Sequence, residues 1–412
     1  MKIVVTASTF PRWENDSVPT FVQEQLTCLK KLHPDWDIKV LAPHDEGAKA
    51  FEIAEFGEIH RFRYLFPARY QRLVYPAILP NLRKNKWLYF QVPFLLLSEF
   101  CALLRLVIRS KPDFIYSHWF VPQGVVGGLV GLITGVSHVY TSHSSDILIA
   151  RKIPILGPLV VRFITRKSKR VTVVSKRSFE KLKGFFSDEK WTAVSHKVKI
   201  IPMGVDTGLF SSRTVANAEW KSKYGYEGRN VILFIGRLAE KKGVKYLLDA
   251  ISEYKKIDPD VLLVIGGDGP LRAELSRQVS ELTIEKYVDF VGYVSGVEKL
   301  ELFGLCDVLI LPSIIADDGD AEGMPVVLME GLAAGKLCIA TDVSGADDVL
   351  ENRSNGFLIR PKNSDDIVNT LLEIQNMDRA MRQQISDRAR ARSQQLDWVP
   401  IVERHVQHLF QD

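Results

Sequence analysis

The sequence predicts an α/β protein made of two doubly wound, parallel-sheet domains. Short apolar runs alternate with helical stretches almost from end to end, the pattern of parallel strands covered by helices. The alternation restarts once, at Val231-Ile-Leu-Phe-Ile235. The 412 residues also exceed what one compact core usually holds, so two domains are expected.

In the first half, Ile3–Thr6, Ile38–Leu41, Phe114–Ser117, Val139–Thr141, Val171–Val174 and Val198–Ile201 read as strands, with helical patterns such as Phe21–Leu32 and Phe179–Phe186 between them. In the second half the strands are Val231–Ile235, Val261–Ile265, Val288–Val291, Val308–Leu311, Leu337–Ala340 and Phe357–Ile359. Met203 to Gly228 is polar without a clear period and is expected to be the linker. The domains are therefore placed at 1–205 and 206–396. Ser364–Gln395 reads as one charged helix and Val399–Phe410 as the last helix. Ligands bind outside the carboxyl ends of the strands in such sheets, which directs attention to the cleft between the domains.

Composition is that of an ordinary globular protein, 46% hydrophobic and 25% charged. Cys28, Cys101, Cys306 and Cys338 stand apart in apolar surroundings, as reduced core residues do. Met1-Lys-Ile-Val-Val-Thr6 starts a strand at once and lacks a signal-peptide layout, so a cytoplasmic protein is expected. Charge is uneven. Residues 1–205 hold 30 Lys+Arg against 16 Asp+Glu, net +14; residues 206–412 hold 24 against 33, net −9; the chain is +5. Different partners for the two halves follow.

The most informative stretch is Ala316-Asp-Asp-Gly-Asp-Ala-Glu-Gly-Met-Pro-Val-Val-Leu-Met-Glu330. An acidic loop leaves the strand Val308–Leu311 and enters a helix, with Pro325 in its first turn and Gly335 closing it. The N–H groups of such a helix start attract an anion, commonly phosphate. Over a fully helical span, Glu322 and Glu330 would stand about 12 Å apart, far more than the roughly 5.5 Å of a retaining glycosidase dyad. They suit different parts of one long ligand. At the restart, Ile235-Gly236-Arg237 ends a strand and Lys241-Lys242-Gly243 opens a helix. Glycine admits close backbone approach, and the Arg fork with a mobile Lys charge suits a diphosphate. Gly266-Gly-Asp-Gly-Pro270 is only a partial dinucleotide fingerprint, with Arg272 where the third glycine belongs, and no P-loop pattern occurs. Ser295-Gly-Val-Glu298 reads as a capping box.

Glu322 and Glu330 form a Glu-x7-Glu pattern. With Phe234-Ile-Gly-Arg-Leu-Ala-Glu-Lys-Lys-Gly243 and Gly266–Pro270 upstream, the chain resembles the retaining, nucleotide-sugar-dependent glycosyltransferases of family four. The resemblance implies the GT-B fold, with Arg237 and Lys242 on the leaving diphosphate and the Gly292-Tyr-Val-Ser295 loop near the nucleotide base. It also implies a last helix, 397–412, that returns to the first domain. Tyr140-Thr-Ser-His-Ser-Ser-Asp146 is similar to the family's His-Gly-x-Asp pattern, with Ser144 in place of the glycine; His143 is then near the donor sugar. His118 reads as acceptor-side or structural. The loop Thr9–Pro19 lacks the glycine pair of many relatives, and Arg12, Trp13 and Asp16 in it are candidate acceptor contacts.

The resulting expectation is a glycosyltransferase that moves a sugar from a nucleoside diphosphate to a hydroxyl of a sugar or lipid-linked sugar, in bacterial surface-polysaccharide or glycolipid assembly. Its candidate catalytic residues are His143, Arg237, Lys242 and Glu322. Gly236, Arg237, Lys242, Gly323, Met324, Pro325 and Glu330 are the candidate donor-binding residues, with Glu330 on the ribose. An epimerase of the same fold or a non-catalytic binder of nucleotide sugars are the alternatives. No cofactor or metal is expected, although Asp318-Gly-Asp320 has the Asp-x-Asp form of a divalent-cation site. Between Glu58 and Glu99 no acidic residue occurs, while Arg61, Arg63, Arg69, Arg72, Arg83, Lys84 and Lys86 alternate with aromatics. An anionic membrane surface or a plain solvated face accounts for this; no RNA- or DNA-binding motif supports nucleic acid. Phe90–Ile108 is broken by Pro93, Glu99 and Arg105 and reads as a core helix or one lying on a membrane, not a span.

Overall fold

The computed structural model describes residues 1–411 except 15, 17, 152, 214–217 and 318, with the main chain alone at 145, 148, 213 and 218. The chain forms two compact units, Met1–Pro202 with Trp398–Asp412, and Met203–Asp397.

The first unit holds an eight-stranded sheet of β1 (Lys2–Thr6), β2 (Asp37–Pro43), β3 (Phe51–Ala54), β4 (Gly57–Phe62), β5 (Phe114–His118), β6 (Ser137–Ser142), β7 (Arg170–Val173) and β8 (Val198–Ile200), ordered 3-4-2-1-5-6-7-8. Every pairing is parallel except the β3–β4 hairpin. The central strands are continuous apolar runs because helices cover both faces. The β3–β4 hairpin escaped the sequence reading. Glu52, Glu58, His60 and Arg61 interrupt its apolar pattern, and Ile53 is exposed at the sheet edge. Arg61 is buried there, paired with Glu52 and donating to the Pro11 carbonyl at 2.6 Å.

The helix Val92–Ser110 packs on β1, β2 and β4 through Leu95, Glu99, Leu103 and Val107, a buried spine at i+4 spacing. By length and composition Lys86–Ser110 could cross a bilayer, yet this spine makes it a layer of the unit. Burial pushes the Glu99 carboxyl up to about 8, and Gln123 Nε2 stands 3.4 Å from it. The chain end also belongs here. Trp398 Nε1 donates to Glu24 at 3.1 Å, His408 Nε2 reaches the carbonyls of Val171 and Lys197 at 3.1 Å each, and Phe410 sets its edge against Trp36, Phe114 and Tyr116.

The second unit holds a six-stranded, all-parallel sheet of β9 (Asn230–Ile235), β10 (Val261–Gly266), β11 (Val288–Gly292), β12 (Val308–Leu311), β13 (Leu337–Thr341) and β14 (Phe357–Ile359), ordered 11-10-9-12-13-14. The stretch expected as linker folds into helices Thr207–Arg213 and Ala218–Tyr224. It lacks apolar periodicity because polar ties hold much of it: Tyr224 Oη donates to Glu301 at 2.8 Å, Tyr226 Oη to Asp289 at 2.5 Å, and Lys223 pairs with Glu301 at 2.7 Å. The expected single helix over 364–395 is two, Ser364–Asn376 and Arg379–Gln394. Asp378 starts the second, its carboxylate accepting from the Met381 N–H at 2.7 Å. Ser295 begins its helix as expected but makes no capping bond, which corrects the capping-box reading.

Strand order reverses between β1 and β5 in the first sheet and between β9 and β12 in the second. These are the switch points at which doubly wound sheets open a crevice at their carboxyl ends. At the second, Gly243 closes the turn after β9 with φ 66°, and a Cβ there would lie 1.9 Å from the Pro312 carbonyl oxygen of the neighbouring loop. Gly243→Ala should therefore destabilise the second unit by roughly 2–3 kcal/mol, read as a lowered denaturant midpoint; an unchanged midpoint would mean that the two loops part at no cost.

Candidate active site

In the second unit the loops that follow β9 and β12 are stitched together. Ile314 N–H donates to the Lys241 carbonyl at 2.8 Å, and Asp317 N–H to the Glu240 carboxylate at 2.9 Å. Gly267, at φ 147°, lets the β10 loop close on the Gly236 carbonyl, where a Cβ would stand at 1.9 Å. The partial GxG is thus used for packing one strand end against the next.

Glu322 sits at the centre. Lys242 Nζ is 3.1 Å from one of its oxygens and Lys241 Nζ 3.4 Å from the other. Burial alone would push this carboxyl up, but the two ammonium groups override it and hold it down at about 2. Glu322 is therefore an anion at any working pH, fit to accept hydrogen bonds and unfit to deliver a proton. Lys241 also reaches Asp320 at 3.5 Å, and the two carboxylates outweigh the effect of burial and raise its pKa. The sequence reading singles out Lys242 and gives Lys241 no role; in the structure both lysines hold Glu322. Asp318 lies outside the described residues, so the Asp-x-Asp pair is represented by Asp320, turned to Lys241. Among the described residues no cluster of His, Cys, Asp and Glu is arranged to hold a metal ion.

Lys242 also stands over Gly236, its Nζ 3.6 Å from where a Cβ would be. Arg237 follows directly and is exposed, with no ion pair among the described residues. The loop then passes Gly323 and the buried Met324 into the helix Val326–Ala333. Pro325 is the residue before that helix and not in its first turn. It brings no capping side chain, so the first N–H groups stay available to an anion. Because the helix starts only at Val326, helical rise does not set the Glu322–Glu330 separation. Glu330 is buried, with Lys299 Nζ at 2.5 Å. Nothing in the sequence marked Lys299, whose helix Gly296–Leu305 is a separate element.

In the first unit, the ends of β5 and β6 bring two histidines together. His118 Nδ1 and His143 Nε2 are 3.2 Å apart. Phe21 and Trp119 flank the His143 ring at 5.0 and 4.8 Å. Burial pushes His118 well below its usual range, with His143 and His405 adding to the effect; His143 is held at about 3. Both rings are neutral near pH 7. His118 Nε2 is buried without a partner among the described residues. An orphaned N–H costs more than an orphaned lone pair, so His118 carries its proton on Nδ1 and donates to His143 Nε2. His143 is left with an Nδ1–H, a hydrogen-bond donor.

Ser144, where the resembled pattern has glycine, adopts φ 83°, and Trp119 adopts φ 69°. Positive φ on such residues is strain of the kind that gathers at functional sites. Lys181 Nζ donates to Ser144 Oγ at 2.8 Å and helps hold the turn. Asp146 is bonded to the backbone of His143 and does not meet either imidazole ring in a hydrogen bond. It accepts from the Phe120 N–H at 2.5 Å and from Ser142 Oγ at 2.9 Å, which ties the β5 and β6 loops. In the loop after β1, Arg12 is bonded to Asp16 at 2.7 Å and to Asp45, and lies over Trp13 and Tyr75. These candidate acceptor contacts are engaged with one another.

Comparison with known proteins agrees with this chemistry. A family model described as glycosyltransferase family 4 matches residues 18–209, and one described as glycosyl transferases group 1 matches 217–392. The chain is a family-four glycosyltransferase. This glycosyltransferase is 26% identical over 345 residues to the N-acetyl-alpha-D-glucosaminyl L-malate synthase of Bacillus anthracis, covering 82% of the chain and 85% of that protein. It is 27% identical to a putative colanic acid biosynthesis glycosyltransferase of Salmonella typhimurium, over 52% of the chain and 51% of that protein. Among solved structures, Anabaena HepE in complex with UDP and glucose superposes with a TM-score of 0.72 at 20% identity, covering 99% of each chain. The enzyme has the GT-B fold.

Three buried histidines and the partly buried His143 carry a stability consequence. His118, His138, His143 and His405 all have folded pKa values below the unfolded 6.5. The unfolded chain then binds more protons below pH 6.5, and stability falls as pH drops through that value. The midpoint of thermal unfolding of the first unit should decline from pH 7 to pH 5, and His405→Gln should flatten the decline. A midpoint independent of pH over that window would contradict neutral burial.

Proposed function

We propose that the glycosyltransferase moves a sugar, with retention of configuration, from a nucleoside diphosphate sugar to a hydroxyl of a sugar or lipid-linked sugar. It does so in the cytoplasm, in the assembly of a bacterial surface polysaccharide or glycolipid. The observation that carries this reading is the placement of Lys242 and the exposed Arg237 at the β9–β12 switch point, beside an uncapped helix start. The UDP bound to the HepE structure and the biosynthetic names of the relatives support it.

Arg237 and Lys242 take the diphosphate and stabilise the charge that grows on it as the glycosidic bond breaks. An ammonium has three N–H donors, so Lys242 can serve both Glu322 and a phosphate oxygen. Glu322 and the N–H groups of Gly323, Met324, Val326 and Val327 hold the sugar and the phosphate; Glu330, set by Lys299, takes the ribose. In the first unit His143 donates its Nδ1–H to a substrate oxygen. The mechanism we propose uses no covalent nucleophile. The acceptor hydroxyl attacks from the face the diphosphate leaves, and its proton passes to a phosphate oxygen. The charge at the leaving group is met by side chains, without a metal.

Arg237→Ala and Lys242→Ala should each lower kcat by about 10²–10³-fold, with an unchanged unfolding midpoint for Arg237→Ala and a lowered one for Lys242→Ala, which takes a partner from Glu322; near-wild-type turnover in both would sink the diphosphate assignment. Turnover should also survive EDTA. Loss on chelation with recovery on adding manganese would make a metal part of the leaving-group chemistry. Free nucleotide released without any glycosylated acceptor would favour an epimerase instead.

A further inference from the structure

We propose that the first unit docks on an anionic lipid bilayer through an aromatic and basic platform around Trp87, continued over the outer faces of three adjacent helices. The platform is unusually open. Trp87 is 87% exposed, Phe66 85%, Phe90 69% and Leu97 64%. Apolar patches of this kind on a soluble surface mark an interaction site.

The platform is also ordered by its own bonds. Gln91 Nε2 donates to the Tyr70 carbonyl at 2.9 Å while its Oε1 accepts from the Arg72 N–H at 3.3 Å, and the Asn85 side chain accepts from the Trp87 N–H at 3.0 Å. The two turns 68–72 and 85–91 therefore form one surface. Arg63, Arg69, Arg72, Lys84 and Lys86 are exposed on these segments or beside them. Among the described residues none of these five lies within 4 Å of a carboxylate. For these five the alternative, that the cations pair over the protein's own surface, is thereby set aside; Arg61 is buried against Glu52, and Arg83 also has a partner. Aromatic rings among unpaired cations match the headgroup level of an anionic bilayer.

The helices extend this surface. Val92–Ser110 packs beside Val125–Thr134, and that helix beside Leu156–Lys167. Leu97 and Ile108 on the first, Leu132 and Ile133 on the second, and Leu159 and Phe163 on the third all face solvent. A second copy of the chain would oppose five cations with five, a like-charge juxtaposition that disfavours association. A bilayer carrying anionic lipids has no such conflict. The platform also precedes the first turn of Val92–Ser110, and helices of a parallel sheet begin at the carboxyl ends of its strands. His118 and His143 stand at that same end, so a lipid-linked acceptor held in the bilayer is presented at the level of the histidine pair. That last step rests on the function proposed above; the docking does not.

Flotation of the full chain with phosphatidylcholine vesicles, with and without phosphatidylglycerol, tests the docking. We expect binding to the anionic vesicles, a blue shift of tryptophan emission that Trp87→Phe removes, and a fraction of binding that survives high salt. Lys84→Gln with Lys86→Gln should weaken binding about 25-fold at low salt, at about five-fold for each cation. Trp87→Ser with Phe90→Ser should remove the salt-resistant fraction without changing the unfolding midpoint. The proposal is overturned if anionic vesicles bind no more protein than neutral ones, or if both double variants bind like the wild type. It is overturned equally if sedimentation shows a dimer that Trp87→Ser with Phe90→Ser dissolves, because the face would then serve self-association. Vesicle binding is read without turnover, so it stands or falls apart from the donor assignment.

Discussion

Right-handed crossovers in a parallel sheet force neighbouring strands to send their chains to opposite faces wherever strand order reverses. Everything chemical in this enzyme follows from that constraint. At β9 and β12 it leaves two loops side by side with no helix between them, and these loops carry Arg237, Lys241, Lys242 and Glu322. At β1 and β5 the same geometry frees the segment that begins with His118. Function is placed by topology first and by residue type second.

The two units meet the constraint with opposite electrostatics. The second uses fixed charge. Two lysines keep Glu322 ionised against its own burial, so the anion helps set the positions of both cations. The first uses neutral groups. Its histidines are buried beyond the reach of protonation near pH 7, and their value lies in a defined tautomer.

Fold class was legible in the sequence because parallel strands buried on both faces are continuous apolar runs. Twelve of the fourteen strands announce themselves this way. The β3–β4 hairpin did not, since an edge strand need not be apolar. The helices 207–213 and 218–224 escaped because hydroxyl–carboxylate bonds help hold them in place of a clear apolar stripe. At the site, glycine and cation spacing placed Gly236, Arg237, Lys242 and Glu322 on one loop cluster. Lys241 was undervalued, as spacing cannot tell which of two adjacent lysines turns toward a carboxylate. Lys299 and the His118–His143 bond could not be read at all: each joins segments distant in the chain, and a single sequence carries no record of tertiary contact.

The return of the last helix to the first unit has a consequence for how the protein is made. Residues 203–397 form a closed insert whose own ends pair with one another, Val205 N–H donating to the Leu396 carbonyl at 2.9 Å. Translation delivers this insert complete before the final segment emerges, and domains tend to fold as units while synthesis proceeds. The first unit, although synthesised first, waits for Trp398 to reach Glu24 and for Phe410 to close over Phe114 and Tyr116. Until then Trp36, Phe114 and Tyr116 lack the ring that packs against them. The order of completion is thus the inverse of the order of synthesis, because part of the first unit's packing comes from residues that follow the insert.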